Sequence, residues 1–114
     1  MATSTQRKLE ELRAHLRKVS DLQSAGALLA WDQATYMPEA GAPARARQMA
    51  TLEEIAHENA TSPVIGRLLD ELQSYADALP YDHDDAALLR VARRDYERKT
   101  RVPASFAAQT AGHI

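Results

Sequence analysis

The sequence predicts an all-α protein, an antiparallel bundle of about five to six helices within a single helical region spanning residues 1–114. Three observations carry this reading. Apolar residues recur at three- and four-residue steps, as in Leu9, Leu12, Leu16 and Val19, which places them on one helical face. Proline and glycine fall at intervals that suit helix boundaries, and no segment alternates with the two-residue period of a half-buried strand. Hydrophobic residues make up 45% of the chain but aromatics only 5%, so its core must rest on Leu, Ala, Val and Ile.

The first helix is expected from about Thr5 to Gly26, with Ser4 or Thr5 as its cap. Gly26 weakens a helix without having to end it, so Ala27 to Met37 is expected to continue as a short, mostly buried helix. Pro38 stops it, because a residue before proline is pushed away from helical angles. The third helix spans roughly Pro43 to Asn59, with Pro43 in its first turn and Ala46, Met49, Leu52, Ile55 and Ala56 as its apolar face. Thr61-Ser62-Pro63 then reads as a hydroxyl cap followed by an N-terminal proline. The fourth helix carries Ile65, Leu68, Leu69, Leu72, Tyr75 and Leu79 and ends at Pro80. Asp82, Asp84 and Asp85 open a fifth, whose inner face is Leu88, Leu89, Ala92 and Tyr96. Arg98, Lys99 and Arg101 close it, so acids at the start and bases at the end complement the helix dipole. Val102-Pro103 breaks it, and Ala104 to about Ala111 reads as a sixth helix.

The 114 residues carry a net charge of -2 and contain no cysteine. The charge argues against a general nucleic-acid binder. The missing thiols exclude disulfides and thiolate metal sites and suit a cytoplasmic location. The polar start Met1 to Lys8 lacks the apolar centre of a signal peptide, and no apolar run approaches the length of a membrane span. Charge is distributed unevenly: residues 31–89 hold eleven acids and three bases, residues 90–101 six bases and two acids.

Four clusters invite a chemical reading. His57-Glu58 begins like a zinc-binding HExxH helix, in which two histidines four residues apart share one face. Here Thr61 stands where the second histidine should be, and Pro63 follows too soon for the helix to continue. His57 therefore reads as a helix C-terminal residue. Asp82-His83-Asp84-Asp85 has ligand-type side chains but lacks the glycine and terminal glutamate of a calcium loop, and first-turn acids serve capping. Trp31 reads as a core anchor, with Asp32 and Gln33 fixing the following turn or touching a ligand. Arg90, Arg94, Arg98 and Arg101 share one face of the fifth helix, expected to pair in solvent with acids of the third and fourth helices; salt-dependent nucleic-acid binding is the other reading. No residue of the chain is assigned a catalytic, cofactor-binding or metal-binding role.

The stretch Trp31-Asp32-Gln33-Ala34-Thr35-Tyr36-Met37-Pro38, continuing through Gly41-Ala42 and Arg45-Ala46-Arg47-Gln48, resembles the early signature of the carboxypeptidase Taq family of metallocarboxypeptidases. The resemblance continues through Leu52, His57, Thr61-Ser62-Pro63, Gly66 and Leu68-Leu69, and resumes at Arg90, Arg93-Arg94-Asp95-Tyr96 and Val102-Pro103. It implies a nearly all-helical fold in a soluble, usually homodimeric enzyme that removes residues one at a time from peptide C-termini. It also implies zinc or another divalent metal, held in the parent by an HExxH helix and a distant glutamate. That motif, like the HPF and DxRxT motifs, lies beyond the matched region; Asp95 to Thr100 has one residue too many for DxRxT. The implied identity is the N-terminal helical portion, walling a substrate groove, inactive alone, and partnered by the remainder of the parent enzyme. The alternative is a self-associating interaction module, with Leu9, Leu16 and Val19, or Tyr75 and Leu79, as its exposed apolar face.

Overall fold

A computed structural model describes residues 3–35 and 41–101, the side chains of Gln33 and Thr35 excepted. Within them the chain is helical, with no strand: α1 (Ser4–Thr35), α2 (Ala42–Ala60), α3 (Pro63–Glu71), α4 (Gln73–Asp77) and α5 (Asp84–Thr100). The expected sixth helix at 104–111 and the Pro38 stop lie outside the described residues.

The first correction concerns α1, one helix of 32 residues where two were expected. A mid-helix glycine costs about 1 kcal/mol relative to alanine, too little to break a helix whose flanks, Ser24-Ala25 and Ala27-Leu28-Leu29-Ala30, tolerate or favour it. The cap is Thr3, ahead of both expected candidates. Its Oγ1 accepts from the Gln6 N–H at 3.0 Å, and Gln6 Oε1 accepts from the Thr3 N–H at 2.8 Å, the reciprocal pair of a capping box.

The expected fourth helix is interrupted at Leu72, which separates α3 from α4. The interruption is slight: the Leu72 N–H still donates to Leu68 O at 2.9 Å, and Ala76 N–H to Leu72 O at 3.0 Å. Ser62 caps α3 as expected, its side chain accepting from Val64 N–H at 3.3 Å, with Pro63 in the first turn. At α5 the cap is His83, whose Nδ1 accepts from the Asp85 N–H at 3.0 Å. Asp84 and Asp85 occupy its first turn and Arg98 and Lys99 its last.

The helices form two compact units. The first joins the start of α1, through Leu16, to α3, α4 and α5. Its core is Leu9, Leu12, Ile65, Leu68, Leu69, Leu72, Leu89 and Ala92, with Leu16, Val64, Tyr75, Leu88 and Tyr96 packed against it. Gly66 belongs to this packing, since a methyl group there would lie 2.7 Å from the Tyr96 hydroxyl.

The second unit takes α1 from Arg17 onward and α2 up to Asn59. Val19, Met49, Ala56 and His57 are buried in it. Arg45 Nη1 on α2 meets Asp32 Oδ2 on α1 at 3.1 Å. Ile55, expected inside, is exposed. Trp31 is a larger correction: expected to anchor the core, it is 56% exposed. At about 100° per residue, Trp31 stands far around α1 from Leu29, which faces a groove beside Leu52 of α2.

Candidate functional site

A polar cluster in the first unit centres on Asp85. Its position in the first turn of α5 is set by the His83 cap. Arg13, one turn beyond Leu9 on α1, donates from Nη2 to Asp85 Oδ1 at 2.9 Å. Tyr75 of α4 donates its phenol O–H to Asp85 Oδ2 at 2.6 Å. One carboxylate therefore ties three helices together.

The hydrogen bond to Asp85 raises the Tyr75 phenol above its ordinary value. Desolvation and the Asp85 charge act in the same direction, and the Arg13 charge acts against them. The phenol is thus held neutral as a donor. A groove of about 650 Å³ opens beside the cluster, lined among others by Thr5, Gln6, Glu10, Arg13 and Tyr75. Both Asp85 oxygens accept a hydrogen bond, so the arrangement clamps helices. A second groove of about 360 Å³, in the other unit, is lined by Leu29, Arg47, Gln48, Thr51 and Leu52.

The candidates from the sequence separate on this structure. His57 is buried near the end of α2, and Thr61 lies just past that helix, in the turn before α3. Among the described residues no group of three or more His, Asp or Glu side chains is placed to hold a metal ion. The described residues thus form no such ligand set, and the resemblance places its metal in the parent, on a motif beyond the matched region. In the Asp82–Asp85 run, His83 serves as a cap and Asp85 as the clamp.

The arginines of α5 divide. Arg93 meets Asp70 of α3 at 3.0 Å, and Glu97 of its own helix at 4.0 Å. Arg90 instead stacks over the Tyr81 ring, 3.9 Å from its centroid, and donates to Tyr81 O at 3.1 Å. Arg94, Arg98 and Arg101 are exposed. Pairing with the acids of the preceding helices is thus carried by Arg93, which stands outside the expected four-arginine face.

No sequence motif announces the Arg13–Asp85–Tyr75 cluster. Arg13 and Asp85 lie 72 residues apart, and no local spacing joins them.

Comparison with known proteins adds what this geometry lacks. Residues 11–114 match the model of the carboxypeptidase Taq (M32) metallopeptidase family. Thermostable carboxypeptidase 1 of Thermus thermophilus is 38% identical over 95 residues, covering 83% of this chain and 19% of the relative. The chain thus spans about a fifth of the length of the curated relative it matches. No solved structure matches it.

Proposed function

Because the chain belongs to the carboxypeptidase Taq (M32) metallopeptidase family, we propose that it is the N-terminal helical segment of a zinc-dependent metallocarboxypeptidase that releases C-terminal amino acids from peptides. The segment walls the substrate groove, works with the remainder of the parent enzyme in the cytoplasm, associates with copies of itself, and is inactive alone. The observation that carries the reading is the family match over residues 11–114, joined to a relative of which this chain covers 19%. Its chemical content supports the same division of labour. The Asp85 cluster ties three helices together, which suits a structural role.

Purified chain incubated with zinc and a set of unmodified peptides is expected to release no C-terminal amino acid. Robust release that a chelator abolishes and zinc restores would overturn the claim that this segment is inactive by itself.

A further inference from the structure

The cap that starts α5 is one that a single proton removes. His83 Nδ1 accepts from the Asp85 N–H at 3.0 Å, so this nitrogen carries no proton and the ring is neutral, with its hydrogen on Nε2. In the charged ring both nitrogens are donors, and the acceptor is gone. The ordinary caps, serine, threonine and asparagine, keep their acceptor at every physiological pH. An imidazole exchanges its proton in the range of about pH 5–8. His83 is exposed, so solvent protons reach it. Its backbone is fixed independently of the ring: its N–H donates to Pro80 O at 3.0 Å, and its carbonyl accepts from the Ala87 N–H at 3.0 Å.

The residue that His83 caps is also the residue that clamps. The Asp85 N–H is held by His83, while the Asp85 carboxylate holds Arg13 of α1 at 2.9 Å and Tyr75 of α4 at 2.6 Å. We infer that His83 is a proton-sensitive cap on the Asp85 clamp. Charging its imidazole frees the Asp85 N–H, frays the first turn of α5 and loosens the tie from α5 to Arg13 and Tyr75. The charged and titratable groups of this corner come from three helices. Asp82, Asp84 and Asp85 stand beside His83 in the chain and favour the charged ring. Arg90, which donates to Tyr81 O, Arg13 of α1, and the positive end of the α5 dipole disfavour it. Tyr75 of α4 is a neutral donor to Asp85. The sign follows from the acceptor: the cap contributes while the ring is neutral, and its contribution is lost as pH falls and the ring is charged.

Asparagine caps a helix without titrating, so His83→Asn keeps the cap and removes the switch. Urea unfolding of the full chain at about pH 8 and about pH 5, the ends of the imidazole range, compares the two. Between these values the unfolding constant should rise about fivefold more in the unmodified chain than in His83→Asn, the size of one N-cap. His15, His57 and His113 are common to both chains and cancel in the comparison. Asp85→Ala keeps the backbone N–H but loses the carboxylate. The excess over His83→Asn should shrink by at least about twofold when both chains carry Asp85→Ala, and an undiminished excess would overturn the link to the clamp. Nitrogen-15 magnetic resonance of the unmodified chain tests the same claim without a substitution. At about pH 8 the His83 Nδ1 should be unprotonated, and the Asp85 amide should shift with the same midpoint as the His83 ring. A proton on Nδ1 at that pH, an Asp85 amide that stays still while His83 titrates, or an equal pH response in the unmodified chain and His83→Asn would overturn the proposal.

Discussion

Two helix-interior glycines give opposite predictions for the same substitution. Alanine gains about 1 kcal/mol over glycine in a helix interior, chiefly through the lower backbone entropy of the unfolded chain. At Gly26 an added Cβ meets nothing within 4 Å, so Gly26→Ala should stabilise the chain by close to that amount. At Gly66 the Cβ would lie 2.7 Å from the Tyr96 hydroxyl oxygen, 3.0 Å from Cζ and 3.1 Å from Cε2. Comfortable contact between such atoms needs about 3.5 Å or more, so the ring must retreat by roughly half an ångström to one. Tyr96 packs against the core of the first unit, which resists that movement, and overpacking of this kind costs about 1–3 kcal/mol. Gly66→Ala should therefore lose about 1 kcal/mol net, leaving the two variants roughly 2 kcal/mol apart. Urea unfolding followed by far-ultraviolet circular dichroism, with slopes held common, measures both. Tyr96→Phe removes the nearest of the three contacts, so Gly66→Ala should cost less in that background, by about 0.5 kcal/mol or more. Equal stabilisation by alanine at both positions would refute the claim that Gly66 makes room for Tyr96.

The remaining predictions concern the first unit. Leu12 is fully buried, and Leu12→Ala should lower unfolding free energy by about 2–5 kcal/mol; a loss under about 1 kcal/mol by chemical denaturation would contradict its place in the core. Ser62→Ala removes the α3 cap and should cost about 1 kcal/mol, with Ser62→Gly milder, as read from shifts in the urea midpoint. Tyr75 titrates above its ordinary value in the folded state. Its contribution to stability is thus fully present below about pH 10, the unfolded phenol value, and is lost as pH rises through the higher folded value. Stability of the unmodified chain should therefore fall more steeply above pH 10 than that of Tyr75→Phe. Asp85→Ala should return one of the four tyrosines toward ordinary titration by ultraviolet absorbance, and an unchanged titration would separate Tyr75 from Asp85.

The resemblance read at Trp31–Gln48 and the family match agree on what the chain is related to, yet the structure changes what that stretch does. Trp31 reads as core from its type alone, because tryptophan carries the largest apolar surface of any residue. Its burial depends on where the inward face of α1 points, and Leu29 holds that face. Likewise His57 is buried in α2, a fact that the truncated HExxH spacing could not supply. The Asp82–Asp85 run shows the reverse case. Acids before a helical pattern announce an N-terminus, and α5 begins there, because capping is decided by residues within one turn of each other.

By itself the sequence determined the all-α class, the starts of α3 and α5, and the inner faces of α3 and α5. These follow from interactions within a few residues: hydroxyl and acidic caps, proline in a first turn, and apolar residues repeating with the helical period. Only the tertiary structure decided that Asp85 joins Arg13 to Tyr75, that Gly66 admits Tyr96, and that Leu28 and Trp31 face outward. Each of these depends on groups distant in sequence or on how a helix is rotated against its neighbours, and a periodic pattern carries no record of which chain segment will fill the space beside it.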